Sequence, residues 1–349
     1  MRLEPVAAPT LARTLGFPLL ALAATFAIGG GLARLAGAEP LQVFGLILTG
    51  AAGSRFALLE TLNRATPLIF TGLAVAVAFR AKLWNIGAEA QLYAGAVMAV
   101  VLGTGLLAWP AAALLPAMAL AAIAAGAVLL LIPALLKTRL GVDEVVTTLL
   151  FNFVMLLLVS LLLEGPLKDP MGMGWPQSPR LIAEARLPRI VEGLRLHWGF
   201  GLGLIAAVLV WVVQTRTTLG FAMRAVGENR QAAAFAGIPV TRTILITALI
   251  SGGLAALAGF SEVAGLRGNL TLTLSPGFGY TGIIVAMLAL LNPLGVVAAA
   301  IFVAGIFVGA DSMSRAAGVP TYIADILVAT ALLAMVLAIF LTRFRLRRS

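Results

Sequence analysis

The stretch AKLWNIGAEAQLYAGA, Ala81–Ala96, sets an amide, a carboxylate, a second amide and a phenol into apolar surroundings: Asn85, Glu89, Gln91 and Tyr93. Each is expensive in hydrocarbon, and an ionisable side chain inside a span normally faces a cavity, a partner or a pathway. On a helix Asn85, Glu89 and Tyr93 recur at i, i+4 and i+8 and share one face, with Gly87 and Gln91 on another. Such a face suits the lining or shaping of a path for a polar solute. A local reading serves as well: Glu89 pairs with Arg80 or Lys82 and caps its own helix start, where the dipole favours a carboxylate. Asn152, amid LLFNFVML, is expected to make an interhelical hydrogen bond. Glu262, Asp311 and Asp325 fall near the ends of apolar runs, where solvent access explains them.

These groups do not form a catalytic set. The chain has no Cys and one His, His197, which excludes disulfides and Cys-based metal sites. His197 stands in a loop without a serine or metal-binding partner, and no second His supports a metalloprotease helix. No Walker A sequence is present, so P-loop binding of ATP lies outside this chain. No catalytic residue, metal site or cofactor of its own is expected. The formal charge of +10 is scattered over the loops, and no basic run is long enough to track a nucleic-acid backbone.

The elements that carry the polar residues must cross a membrane. Of 349 residues, 61% are hydrophobic and 11% charged, against roughly 45–50% and about 25% in soluble chains. Apolar runs near the ~20 residues that a bilayer core requires recur throughout. The fold class is all-α, a polytopic integral membrane protein with about 10 spans. The expected spans are Leu15–Leu35, Thr61–Phe79, Asn85–Leu107, Ala111–Leu136, Val145–Leu163, Trp198–Val213, Thr243–Val263, Tyr280–Leu291, Leu294–Ala310 and Thr321–Leu341. Leu41–Thr49 is too brief to span and is expected at the interface. LAGAEP, Leu35–Pro40, has the small residues of a signal-peptidase site, but the apolar run before it is too long for a leader. An uncleaved helix is expected. NPLG, Asn292–Gly295, either breaks a helix or turns between two spans.

Ten spans with a cytoplasmic N-terminus return the C-terminus to the cytoplasm and leave 14 of the 24 Lys and Arg residues inside, as the positive-inside rule favours. In a single transmembrane domain, 1–349, residues 164–197 are then an extracytoplasmic loop with five prolines, and 215–242 a cytoplasmic loop. Within the latter, Asn229–Ala236 reads as a short surface helix between Gly227 and Gly237, which can supply positive φ at both ends. It is a poor anchor by itself and suits a groove on another protein, although an amphipathic connector would look the same.

This loop, TTLGFAMRAVGENRQAAAFAGIPVTRTILITALISGGLAALAG (Thr217–Gly259), resembles the coupling loop of ABC importer permeases of the ribose and branched-chain amino acid superfamily. LWNIGAEAQLYAGA resembles the Asn-Ile-Gly-x-Glu-Gly-Gln signature of the nucleoside branch, and SPGFGYTGIIVAMLALLNPLGV (Ser275–Val296) resembles the same branch. Ala90 stands where that signature has Gly, and the sugar branch has a Gly-Gly-Ile-Asp-like motif instead. The resemblance spans about Thr61 to Ile339. It implies a permease of the bacterial cytoplasmic membrane, with Asn85, Glu89, Gln91, Tyr93, Asn152 and Tyr280 lining or shaping the pathway. It also implies ATPase contact through Gly227, Glu228, Asn229, Arg230, Ala233, Ala234, Gly237 and Ile238. The implied partners are a second, different permease chain, a cytoplasmic tandem ATPase that binds ATP and Mg, and an extracytoplasmic substrate-binding lipoprotein. Nucleosides are the expected cargo and simple sugars the alternative. A stand-alone channel or ion-coupled transporter would need an acidic relay deep in several spans, for which Glu89 is the one serious candidate.

Overall fold

A computed structural model describes residues 2–5, 11–107, 109–318 and 320–347. It is an all-helical protein: α1 (Leu11–Leu35), α2 (Pro40–Ala52), α3 (Arg55–Arg80), α4 (Ala88–Gly103), α5 (Ala111–Leu140), α6 (Glu144–Glu164), α7 (Gly199–Arg216), α8 (Thr218–Glu228), α9 (Arg230–Phe235), α10 (Val240–Ser261), α11 (Phe278–Leu288), α12 (Pro293–Ala317) and α13 (Tyr322–Arg343). A π-helical turn, Glu262–Arg267, prolongs α10. The only strands among the described residues, β1 (Arg2–Pro5) and β2 (Phe344–Arg347), pair antiparallel and set the two chain ends side by side.

Each expected span has a helix, but not each helix can span. Among the described residues six helices are long and apolar enough to cross a membrane, or seven if α1 and α2, bent by 110°, count as one. α4 has 16 residues and α11 has 11, about 24 and 17 Å at the helical rise. Both are too short for a core of roughly 30 Å. NPLG is a turn: Leu290 and Leu291 adopt φ of 51° and 59°, and the Asn292 side chain accepts from the N–H groups of Leu294 and Gly295. Pro293 then opens α12, where its missing donor costs nothing.

The structure divides into two compact units, Met1–Thr61 with Phe302–Ser349, and Leu62–Ile301. In the first, α1 packs along α13, and Phe26 meets Phe44 of α2 edge-on at 5.1 Å. In the second, α4, α5 and α10 pack against one another. Two glycines set the α5–α10 approach: a Cβ at Gly126 or at Gly252 would collide with the other's carbonyl. Small residues permit this contact where water gives no hydrophobic drive. The α5–α6 turn is closed by Gly141 at φ 70° and by Asp143, which accepts the Val145 N–H at 2.7 Å, a left-handed helix end followed by an N-cap.

The loop 164–197 is ordered against the helix ends. Ile182 N–H donates to Gly103, Leu181 N–H to Gly268, and Leu187 N–H to Ala264. His197 closes the segment. Its ring is fully buried against Gly199 and Gly265, with Nδ1 accepting the Gly199 N–H at 3.1 Å. Burial alone pushes its pKa down to about 4, since desolvation disfavours the imidazolium. Between that value and 6.5 the unfolded loop binds more protons than the folded one, so stability is complete above pH 6.5 and falls as pH drops. By pH 5 the loss is about 2 kcal/mol. The thermal midpoint of the purified chain should therefore decline from pH 7 to 5, and the decline should be visibly smaller in His197→Phe. Equal declines would show that another group titrates.

Candidate translocation site

The site begins where α3 ends. Helix α4 starts at Ala88, not Asn85, so Asn85 does not share a helical face with Glu89 and Tyr93 as its spacing predicts. The chain turns at Lys82, φ 51°, where the Ala81, Lys82 and Leu83 N–H groups bond back to the end of α3, and Trp84–Gly87 follows without helical bonds. Asn85 accounts for the break. Its Oδ1 accepts the Gly87 N–H at 3.0 Å, a local bond that competes with a helix. Asn85 and Gln91 then exchange a pair of 2.9 Å hydrogen bonds, so the two amides that helical geometry would separate are partners. Asn85 also donates to Ser251 of α10, which in turn donates to the Ala74 carbonyl of α3. Ala74 lies about 9 Å along α3 from its Arg80 end at 1.5 Å per residue, so these bonds hold Asn85 against the body of α3.

Irregular backbone that is buried needs partners, because water does not reach it. Helix α6 supplies them. Glu144, Thr148 and Asn152 stand four residues apart on one face. They accept from Trp84 N–H at 3.2 Å, Ile86 N–H at 3.2 Å and Ala90 N–H at 2.9 Å respectively. Asn152 also donates to the Ile86 carbonyl and to the Tyr280 hydroxyl, both at 3.0 Å. The expected interhelical role of Asn152 is thus part of a ladder along the broken segment.

The starts of the two short helices meet at Glu89. Its Oε2 accepts the Gly279 N–H of α11 at 2.6 Å, and a Cβ at Gly279 would collide with the Glu89 backbone. The carboxylate caps the start of α11 rather than that of its own helix, where it lies in the first turn without a capping bond; both dipoles favour its charge. Ser275 caps the same end by accepting from Gly277 and Phe278. Tyr93 donates to the Leu272 carbonyl at 2.7 Å and fixes the approach to α11. Asn85, Glu89, Gln91, Tyr93 and Asn152 are all buried, whereas Tyr280 is 40% exposed. The ring of Tyr280 is the face that this network presents. Glu262, expected at a solvent-accessible span end, is buried instead because the π-turn carries the span on to Arg267.

Residues 215–242 hold two helices, α8 and α9, where the sequence suggests one. Gly227 lies inside α8, pressed against the Arg80 carbonyl, and lacks positive φ; Gly237 has φ 80°. Asn229 separates α8 from α9 and caps α9 by accepting the Ala232 N–H at 3.0 Å. Glu228, Asn229, Arg230 and Ala234 are exposed, Ile238 is half-buried, and Ala233 is buried within the chain itself. The most exposed residue of α9 is Phe235, at 97%.

A family described as the permease component of the branched-chain amino acid transport system matches residues 57–342. The chain belongs to this permease family. The permease is 36% identical over 340 residues to a glucose ABC transporter permease protein of Haloferax volcanii, covering 95% of this chain and 89% of that one. It is 35% identical to a guanosine ABC transporter permease protein of Bacillus subtilis, covering 90% and 91%. It is 29% identical to a nucleoside ABC transporter permease protein of Lactococcus lactis, covering 89% and 88%. No solved structure matches it. The permease is a multi-pass membrane transport subunit and not an enzyme.

Several residues of the permease site escaped sequence reading. Ser251 looks like a small packing residue, and Ser275 like part of a loop. Glu144 and Thr148 share Asn152's four-residue spacing, a signal that was there to be read. Arg64, on α3, stacks its guanidinium 5.4 Å from the Phe278 ring centroid at the start of α11. Nothing local marks it, because its partner is 214 positions away in the chain.

Proposed function

We propose that the permease is the membrane subunit of an ATP-driven importer for nucleosides or related purine and pyrimidine compounds. The observation that carries this is the junction of α4 and α11 at Glu89, built from the Asn85–Gln91 stretch whose motif resembles the nucleoside branch. Two relatives named for guanosine and nucleoside transport support the cargo. A tandem ATPase that binds ATP and Mg would dock on α8–α9, a lipoprotein would deliver cargo outside, and a second, different permease chain would complete the path. The glucose permease relative supports simple sugars as the second reading. The deciding experiment is ATP hydrolysis by the co-purified complex, with its binding protein, against a panel of nucleosides, bases and sugars. Stimulation by sugars alone would overturn the nucleoside reading.

The chain would lie in the bacterial cytoplasmic membrane with both termini and 215–242 in the cytoplasm. The pairing of β1 with β2 supports termini on one side. Because the chain has no Cys, single cysteines report the topology. Met173→Cys, at a 97% exposed position, should label in intact cells. Gln231→Cys, also exposed, should label only after permeabilisation. The reverse pattern would invert this topology.

A further inference from the structure

Ala81–Gly87, between α3 and α4, is gripped at both ends. At its start α8 presses on the Arg80 carbonyl at Gly227, and Arg230 at the head of α9 donates to the Lys82 carbonyl at 3.4 Å. Lys137 reaches the same carbonyl at 3.5 Å and pairs with Glu144, whose Oε1 accepts the Trp84 N–H. At its end Thr148 and Asn152 hold Ile86 and Ala90, next to Glu89 and the start of α11. Its first residues bond back to the end of α3, but Trp84–Gly87 has no helix or sheet bonds of its own and takes its position from these outside groups. Held along α6, it moves as one piece; released, it slackens and absorbs displacement.

Resting on the ATP-driven reading above, we propose that Ala81–Gly87 carries movement of α9 to the Glu89 junction, and that Glu144 and Thr148 are the positioning residues that keep it taut. Spatial continuity alone does not establish coupling, so the test reads movement directly. Pro276→Cys gives a single thiol, exposed and two residues before α11. Its maleimide labelling rate is measured in the permease–ATPase complex in nanodiscs, without nucleotide and with ATP plus vanadate.

With native Glu144 the two rates should differ at least fivefold. In Glu144→Leu, which removes the acceptor for Trp84 N–H, the difference should fall below twofold in complexes that still hydrolyse ATP. Glu144→Gln retains an acceptor and should retain the difference. The double exchange Lys137→Glu with Glu144→Lys restores opposite charges but offers no acceptor, and should not recover it. Absence of any nucleotide-dependent difference with native Glu144, or an undiminished one in Glu144→Leu, overturns the proposal. Where Glu144→Leu does not assemble, Thr148→Val removes the acceptor for Ile86 N–H at nearly equal volume, and an undiminished difference there overturns it equally. No substrate enters this measurement. A complex that no nucleoside stimulates would refute the cargo and leave the labelling result standing.

Discussion

Phe235→Ala should strip the ATPase from the permease. Phe235 ends a six-residue helix with its ring 97% exposed, and small exposed neighbours, Ala232, Ala234 and Ala236, surround it. A large ring on a small-residue helix is the shape of a residue that fills a partner's pocket. Truncating such an anchor typically costs about 2–4 kcal/mol, roughly 30- to 1000-fold in Kd. Purification through a tag on the ATPase should recover little permease, and titration in nanodiscs should give at least the lower weakening. Ala234→Trp should weaken the contact as well, by overpacking it. Ala233→Trp should behave differently. Ala233 is buried within the permease, so its replacement should lower the permease's own thermal midpoint even without ATPase. Native affinity in Phe235→Ala would mean that α9 is not the docking element.

The second large effect should come from Glu89→Ala. The carboxylate accepts the Gly279 N–H at the start of α11 and is 4% exposed. Its removal leaves a buried donor unpaired, at about 1–3 kcal/mol, and also removes a charge worth up to about 2 kcal/mol at a partly buried helix end. The thermal midpoint of the solubilised permease should fall clearly in Glu89→Ala. Glu89→Gln, which retains the acceptor and loses the charge, should fall by less than half as much, with uptake per assembled complex near normal. A Glu89→Gln variant that keeps its stability and loses uptake would show that the charge meets the substrate rather than the fold.

Much of this was legible in the chain. Apolar length placed a helix at every expected span, because hydropathy over about 20 residues is a strong local signal. The polar residues of the Asn85–Tyr93 stretch marked a segment that the structure buries in a hydrogen-bonded network. Their arrangement was not legible, since the apolar run after Gly87 continues whatever precedes it, and a helix starting at Asn85 satisfies the same pattern. Asn85 pairs with Gln91, which helical spacing sets on another face, because the chain breaks between them.

What the sequence by itself determined is therefore the all-helical membrane class, the places of the apolar helices, and the resemblance to a permease family. These depend on local composition and motif. Only the tertiary structure decided that α4 and α11 are short helices meeting at Glu89, that Glu144, Thr148 and Asn152 stand in for a missing helical turn, and that Phe235 rather than Ala233 faces outward. Each of those depends on a partner far along the chain. A buried backbone donor must find an acceptor, but which residue provides it is settled by the packing of α6 and α11 and not by the donor's own neighbours.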